Sequence, residues 1–449
     1  MTTYLIPDER QRKRQHWAWY MYDFGNSAYA AVILLAVYSA YFKGQVVGGA
    51  EGSRLWGLAI AAAMLVVAIL SPFLGAIADF AASKKRTLLI FSCLSWVFTA
   101  LLFFVQKGNI LIGFLFFVLA EIGYRGGQVF YNALLPEIAS PDEMGQVSGN
   151  GWAIGSIGGV ICLLFILPAI IMTKANPALN LLVIRASFVF TALFFAASAS
   201  LLFLRVKETN KSRALPPGET YLSISIKRLV TTFKAVRHFR QFIFFIISFL
   251  IYNDGILMAL DFAAIIGAVL FGMNQTQLIL FMILVQVTSA IGAYLFGILG
   301  EKIGFKKALL SSLVLMIAAV IWMIFNPSLL GYFAIGGVAG FALTGVQSLS
   351  RTMTGLFAPP SKSAEFFGFF AVAGKSSSFI GPATFGLIAA GIAQYFEKGG
   401  MDAIQAEQNG TRAGLVVIAI FLVVGMVILL AVNEKHARKA ANDYVPESY

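Results

Sequence analysis

The sequence predicts an all-α integral membrane protein in which twelve transmembrane helices form two repeats of six. Its composition is the first observation, because 59% of the 449 residues are hydrophobic and 12% are charged, whereas a soluble globular chain is about 25% charged. The second is a series of apolar runs about 20 residues long, the length that crosses a bilayer. The third is an internal repeat that relates the two halves. An ordinary soluble enzyme is therefore excluded.

Charged residues and Pro- or Gly-rich breaks separate the apolar runs, and each run is counted as one span. Charges also interrupt the fourth and seventh runs. The predicted spans are residues 17–42, 54–78, 87–105, 110–135, 147–172, 181–204, 242–260, 277–297, 307–325, 329–349, 366–390 and 413–432.

Basic residues are distributed unevenly between the loops. With a cytoplasmic N-terminus, the inner segments hold 24 Lys and Arg residues and the outer segments hold seven. Because positive charge marks the cytoplasmic side of membrane proteins, both termini are predicted to be cytoplasmic. The same bias explains the net charge of +12 without a nucleic-acid partner. The basic run Arg10–Arg14 before a long apolar stretch predicts an uncleaved first helix.

The longest polar stretch divides the chain into two sets of six spans. It covers residues 205–240 and contains Pro216 and Pro217. We therefore predict an N-terminal six-helix bundle over 1–204, a cytoplasmic linker over 205–240 and a C-terminal six-helix bundle over 241–449. In the later part of the linker, apolar residues share one helical face, which predicts an interfacial helix. A solvated basic linker without such a helix is the alternative.

Two separated stretches of the first half recur in the second half at nearly the same offset, which predicts parallel six-helix repeats. An offset of 222 aligns Gly75, Asp79, Lys84 and Lys85 with Gly297, Glu301, Lys306 and Lys307. An offset of 223 aligns Pro136, Asp142, Gly145, Gly151 and Gly158 with Pro359, Glu365, Gly368, Gly374 and Gly381.

The loop after the second span, Gly75-Ala-Ile-Ala-Asp79 with the basic residues that follow, resembles the signature of the major facilitator superfamily. Two positions depart from it, since Phe80 stands where the family usually has Arg and Ala82 where it has Gly. Ordinary positive-inside charge is the alternative, and it explains the lysines but not Asp79. The resemblance implies gating roles for Gly75, Asp79, Lys84, Lys85, Gly297 and Glu301.

Three further stretches resemble the vacuolar amino-acid effluxer family of autophagy and its bacterial relatives, a branch of the major facilitators. They are Tyr22-Asp-Phe-Gly-Asn-Ser27, Phe130-Tyr-Asn-Ala-Leu-Leu-Pro-Glu137 followed by Val147-Ser-Gly-Asn-Gly-Trp-Ala-Ile-Gly155, and Gly374-Lys-Ser-Ser-Ser-Phe-Ile-Gly-Pro382. The resemblance implies a twelve-helix permease of the major facilitator type, with amino-acid export known for fungal members. Since the chain has no long insertion, we expect a compact prokaryotic version in a bacterial inner membrane.

Charged residues inside the spans are expensive, at about 2.5–3.5 kcal/mol each on insertion scales, and should face protein or a wet cavity. The alternative to a functional role for the charges of the fourth span is an intrahelical ion pair, which would only help the helix to insert into the membrane. For the first span the alternative is an interfacial or capping carboxylate, and for the eleventh it is a structural salt bridge. These residues are Asp23, Glu121, Arg125, Asp254, Asp261 and Lys375.

The family resemblance implies that the first, fourth, seventh and tenth helices line one central cavity. A zwitterionic amino acid needs a cation for its carboxylate and an anion for its ammonium group, and the cavity residues offer both. A carboxylate buried in the membrane is also the simplest proton carrier. Asp254 is favoured over Asp261, which lies nearer the outer interface, and Asp23 is the alternative carrier. The predicted substrate-binding residues are Asp23, Asn26, Glu121, Arg125 and Lys375.

The sequence therefore predicts a monomeric secondary transporter, with membrane lipid, a small solute and a proton as partners. An intramembrane enzyme is disfavoured, because no HExxH or GxSxG motif is present and the three histidines lie in cytoplasmic flanks. Neither a cofactor nor a metal site is expected from two cysteines and three histidines. A transport-inactive receptor or scaffold on the same fold, or a transporter of a sugar or carboxylate, remains the alternative.

Overall fold

The computed structural model describes most of the chain, and every regular element in the described residues is helical. The described residues are 9–80, 84–139, 144–206, 220–221, 223–224, 226–227, 230, 239–359, 366–367, 369–370, 373–374 and 378–443. Within these, the side chains at 71–73, 75–80, 136, 144–146, 148–149 and 293 lie outside the description.

Thirteen main helices organise this part of the chain. Four are extended by further helical turns: α1 through Ala30–Ala36, Tyr38–Tyr41 and Phe42–Val47, α3 through Leu102–Phe104, α4 through Leu135–Ile138, and α7 through Ala263–Phe271. The helices are α1 (Glu9–Tyr29), α2 (Gly49–Phe80), α3 (Lys84–Leu101), α4 (Ile110–Ala133), α5 (Met144–Thr173), α6 (Pro177–Arg205), α7 (Arg240–Asp261), α8 (Gln275–Ile303), α9 (Phe305–Phe325), α10 (Leu329–Phe357), α11 (Ile380–Lys398), α12 (Ala403–Ala431) and α13 (Glu434–Asn442).

The helices α1 to α12 follow the twelve predicted spans in order, which confirms the predicted all-α membrane fold. Eleven helical stretches of the described residues have the length and composition to cross a membrane. The remaining predicted span, 366–390, corresponds to α11. This helix is described from Ile380 to Lys398, so its described part is displaced toward the C-terminus.

Most helices are longer than the apolar runs that predicted them, and polar capping residues define where several of them begin. The Asp402 side chain accepts hydrogen bonds from the amides of Ile404 and Gln405, so α12 begins ten residues before the predicted span. A capping box between Asn274 and Gln277 begins α8 in the same way. Hydropathy detects the part of a helix inside the hydrocarbon, whereas caps satisfy the free amides of its first turn.

The chain divides into two compact units. Unit 1 contains Met1–Tyr38 and Leu70–Ile224, and unit 2 contains Ser39–Ile69 and Ser225–Tyr449. The division into bundles over 1–204 and 241–449 with a linker stays a prediction. Most of the apolar face proposed for the interfacial helix lies outside the described residues.

Small residues allow the helices within each unit to approach closely. In unit 1, a Cβ atom added to Gly158 of α5 would overlap the carbonyl oxygen of Phe24 in α1. In unit 2, a Cβ atom on Gly292 of α8 would overlap the carbonyl oxygen of Phe341 in α10. Helix backbones therefore touch at these points, as is common in membrane proteins.

Candidate functional site

The motifs of the first half meet around Asp23 in unit 1. A Cβ atom on Gly155 of α5 would lie 2.7 Å from Asp23 Oδ2 and 2.9 Å from the hydroxyl oxygen of Ser27. One turn earlier, Gly151 packs so closely on the Trp19 ring that a Cβ atom would overlap it. Three glycines of α5, including Gly158, thus form the surface on which the Asp23 segment of α1 rests.

An aromatic stack joins α1 to α4 on the same side of unit 1. The Tyr131 ring stacks on Trp19 with centroids 4.3 Å apart and on Tyr22 with centroids 4.8 Å apart. Trp19 Nε1 donates a hydrogen bond of 3.1 Å to the Tyr131 carbonyl oxygen. The Tyr22 hydroxyl also lies 2.9 Å from the hydroxyl oxygen of Ser92 on α3. Residues quoted for the family resemblance therefore contact one another across helices.

The two charges of α4 form an ion pair. Arg125 Nε donates a 2.7 Å hydrogen bond to Glu121 Oε1, one helical turn away. The Glu121 side chain is fully buried, whereas that of Arg125 is 22% exposed. The guanidinium carbon lies 5.3 Å from the centroid of the Tyr124 ring, which in turn stacks on Tyr29 at 4.6 Å. The guanidinium is thus held from two sides and reaches accessible space.

Asp23 and this ion pair belong to one electrostatic cluster. Tyr124 lies within electrostatic reach of Asp23, Glu121 and Arg125. Asp23 is half-buried and so keeps access to its surroundings. Asn26 lies one turn along the same helix and is buried. Four of the five predicted substrate-binding residues therefore lie in unit 1, Asp23 and Asn26 on α1 and Glu121 and Arg125 on α4, while Lys375 lies outside the described residues.

The predicted proton carriers lie in unit 2. Asp254 and Asp261 are both buried on α7. Opposite Asp254, a Cβ atom on Gly381 of α11 would lie 2.9 Å from the Asp254 carbonyl oxygen. The carbonyl oxygen of Asp261 accepts a 2.8 Å hydrogen bond from Trp56 Nε1. That these carboxylates share one cavity with Asp23, Glu121 and Arg125 stays a prediction.

The predicted gating residues that are described take part in local contacts. Lys84 Nζ pairs with Glu137 Oε1 at 2.6 Å and donates to the Ala133 carbonyl oxygen at 3.2 Å. Glu301 is exposed near the end of α8, and nothing crowds Gly297. Gly75 and Asp79 lie on α2, but their side chains are outside the description. The gating role stays a prediction.

The same kind of hydrogen bond, from a lysine to the C-cap carbonyl oxygen of another helix, occurs in both halves of the chain. Lys85 is the second residue of α3, and its Nζ donates to the carbonyl oxygen of Val206, the C-cap of α6, at 2.8 Å. Lys306 is the second residue of α9, and its Nζ donates to the carbonyl oxygen of Val432, the C-cap of α12, at 2.6 Å. Lys306 thus corresponds in structure to Lys85, whereas the offset of 222 pairs it with Lys84.

Sequence reasoning missed two buried ion pairs. Lys43 Nζ lies 2.5 Å from Glu407 Oε1 within unit 2, although both residues fall outside the apolar runs. The partner of Lys84, Glu137, ends a motif quoted for the family resemblance, which was the available signal. For Lys43 the signal was weaker: it directly follows a long apolar run that ends in Tyr41 and Phe42.

Apolar helices in two compact units, with charged side chains buried inside their spans, give the architecture of an integral membrane transporter of the major facilitator type, and the relatives of the chain are transporters rather than enzymes. The chain belongs to the family described as "Vacuole effluxer Atg22 like", whose model matches residues 56–442.

Proteins of similar sequence support the membership of this family. The chain is 28% identical over 430 residues to an uncharacterized MFS-type transporter, YxiO, of Bacillus subtilis, covering 94% of this chain and 95% of that one. It is 25% identical to autophagy-related protein 22-2 of Aspergillus clavatus, covering 54% of this chain and 43% of the fungal one. The chain therefore matches less than half the length of that fungal relative.

Solved structures show the same fold. A bacterial homologue of the human lysosomal transporter Spinster, in an inward-facing and unoccupied conformation, aligns with a TM-score of 0.72 at 17% identity, covering 98% of this chain and 100% of that one. A point mutant of the nucleoside transporter NupG aligns with a TM-score of 0.69 at 12% identity, covering 94% of this chain and 99% of that one. At these identities the similarity concerns the fold alone.

Proposed function

We propose that the protein is a secondary active transporter that moves a small zwitterion, an amino acid or short peptide, by alternating access. The observation that supports the proposal is that unit 1 holds both a partly exposed guanidinium, that of Arg125, and a half-buried carboxylate, that of Asp23, each of which acts electrostatically on Tyr124. One site thus offers a cation and an anion to the same solute. We further propose that it works as a monomer in a bacterial cytoplasmic membrane, with both termini in the cytoplasm.

Each charge of the site suits a different end of a zwitterion. Arg125 is held by Glu121 and by the Tyr124 ring, so its fork of donors is ordered before a carboxylate arrives. Glu121 is fully buried behind it, which leaves Asp23 as the better partner for an ammonium group. A purely anionic or cationic solute would leave one of these charges unused. The family description as a vacuole effluxer supports export of a small solute.

Replacing Arg125 with Gln is expected to weaken binding of the zwitterion at least about tenfold, or 1.4 kcal/mol, because the substrate carboxylate loses its cation. Isothermal titration calorimetry with neutral amino acids and dipeptides measures this change. Lys375→Gln tests the predicted second cation in the same way. Arg185→Gln is the matched control, since Arg185 of unit 1 is occupied with the Phe103 carbonyl oxygen and ring. Binding of a sugar or a simple carboxylate, but of no zwitterion, would refute the substrate class.

Proton coupling is the second part of the proposal, and Asp254 is the proposed carrier. It is buried where Gly381 of α11 packs against its backbone, so a change in its charge acts on the packing of α7 against α11. Asp254→Asn is expected to abolish accumulation driven by a pH gradient while counterflow exchange continues. Asp261→Asn, on the same helix, is expected to keep both activities. Proteoliposomes measure both, and full gradient-driven uptake by Asp254→Asn would remove Asp254 from the mechanism.

A further inference from the structure

An open cavity of about 300 Å³ lies at one end of unit 2, where α7 begins and α10 ends. Arg240 is the first residue of α7, and Phe357 is the last residue of α10. The helix α13 forms a further wall through His436, Ala437 and Ala440. Because α13 begins shortly after the end of α12, the cavity lies at the end of the helices that the charge distribution predicts to be cytoplasmic.

Specific contacts hold α13 against the rest of unit 2. The amide of Asn433, the N-cap of α13, donates a 2.7 Å hydrogen bond to Gln241 Oε1 of α7. Glu434 Oε2 accepts a 3.1 Å hydrogen bond from the amide of Lys306 on α9, and Glu434 Oε1 pairs with Arg438 at 2.5 Å. The Glu434 carboxylate is therefore occupied by α9 and by its own helix, and α13 is a fixed wall of the cavity.

The cavity offers hydrogen-bond donors without an anion to receive them. Arg240 of α7 and His436 of α13 both line it, and both are exposed. Neither side chain forms an ion pair or a hydrogen bond with another described residue, and the described residues that line the cavity include no acid. A guanidinium presents a rigid fork of donors that matches the oxygens of a phosphate, and a histidine ring can donate a further hydrogen bond. The polar side of the cavity therefore suits a phosphate group.

The remaining surface of the cavity is apolar and continues along the outside of α7. Phe242 and Phe357 are buried in its wall. Arg240, Phe244 and Ile247 follow the spacing i, i+4, i+7, so they share one face of α7. All three are exposed, Phe244 at 40% and Ile247 at 42%. Because an exposed apolar stripe on a membrane-spanning helix faces acyl chains, the ligand that fits both the donors and the stripe is an amphiphile.

We propose that this cavity binds the phosphate headgroup of an anionic phospholipid, with an acyl chain along Phe244 and Ile247. The phosphate oxygens accept hydrogen bonds from the Arg240 guanidinium and the His436 ring, as in other basic pockets between membrane-spanning helices. A volume of about 300 Å³ is near the lower limit of ligand pockets, so the cavity accommodates a headgroup and not a whole lipid. A zwitterionic lipid is a poorer ligand, because its ammonium group would lie beside Arg240 with no described carboxylate in the cavity to receive it.

Native mass spectrometry of the purified full chain in detergent measures lipid binding directly. Dioleoylphosphatidylglycerol is expected to bind at least about tenfold more tightly than dioleoylphosphatidylcholine, and the double variant Arg240→Gln/His436→Gln should lose this preference because the charge-assisted hydrogen bonds to phosphate are removed. Lys302→Gln is the matched control, since Lys302 is an exposed basic residue in the last turn of α8 that does not line the cavity. Equal binding of the two lipids to the wild type, or an equal loss in Lys302→Gln, would overturn the proposal.

Two further variants separate a lipid site from a site for free phosphate and from a loss of folding. Phe244→Ala removes an acyl-chain contact and keeps both donors, so it should weaken phosphatidylglycerol binding. If inorganic phosphate binds the wild type as tightly as phosphatidylglycerol in calorimetry, the site recognises phosphate alone and the lipid proposal fails. Ala440→Leu fills the cavity with a larger side chain and keeps Arg240 and His436, so it should also weaken phosphatidylglycerol binding. Thermal melting of each variant verifies that it is folded, and undiminished phosphatidylglycerol binding by a folded Ala440→Leu would refute this cavity as the site.

Discussion

Replacing Lys43 with Met is expected to lower the free energy of unfolding by about 3–5 kcal/mol, because it leaves Glu407 as a buried charge without its partner. Lys43 Nζ and Glu407 Oε1 are 2.5 Å apart, and their side chains are only 11% and 16% exposed. The double variant Lys43→Met/Glu407→Leu should recover most of the loss, since no unpaired charge remains. Thermal melting of the purified protein measures each change.

The ion pair between Arg54 and Glu51 is the matched control, because it lies in the same part of unit 2, Ser39–Ile69, as Lys43. Arg54 and Glu51 are also 2.5 Å apart, but their side chains are 38% and 40% exposed. Water solvates these charges, so Arg54→Met should cost no more than about 1 kcal/mol. Equal melting temperatures of Lys43→Met and Arg54→Met would contradict the burial of the Lys43 pair.

Replacing Gly158 with Ala is expected to destabilise unit 1 by about 1–3 kcal/mol or more, the usual cost of overpacking. The added Cβ atom would overlap the Phe24 carbonyl oxygen, and a backbone atom cannot turn aside as a side chain can. The helices α1 and α5 would have to separate, which would also move Gly155 away from Asp23. Thermal melting and the monodisperse fraction in size-exclusion chromatography measure the effect.

Gly391→Ala is expected to leave the stability of the protein unchanged or to raise it. Gly391 lies within α11, is exposed, and has no neighbouring atom within 4 Å of an added Cβ. Alanine favours a helix over glycine by up to about 1 kcal/mol, so this variant should melt at the same or a higher temperature. If Gly158→Ala melts like Gly391→Ala, the close approach of α1 and α5 is refuted.

The order and number of the membrane helices follow from sequence alone, because the bilayer acts on each span separately. A span must be apolar over about 20 residues and satisfy its backbone internally, and both conditions can be evaluated without knowing its neighbours. The sequence predicted the ends of the helices less accurately than their order. At α12, for example, the capping residue Asp402 lies outside the apolar run that predicted the helix. The Glu121–Arg125 pair was also within reach of sequence, since residues four apart on a helix are neighbours.

The motif residues were found by sequence, but their contacts were not. Sequence reasoning selected Asp23 for its charge and Gly155 as part of a family motif, yet only the structure shows that Gly155 packs on Asp23. The correspondence of Lys85 with Lys306 was likewise missed by one residue. An alignment compares letters, whereas the structure compares which backbone carbonyl each lysine reaches.

The sequence by itself determined that this protein is an all-helical membrane transporter of the major facilitator type, since composition, span length and motifs are properties of continuous segments. Tertiary structure alone decided that Lys43 pairs with Glu407 and that Lys84 pairs with Glu137. The physical reason is that burial and hydrogen bonding of such groups depend on helices that are distant in sequence, so no local pattern encodes them.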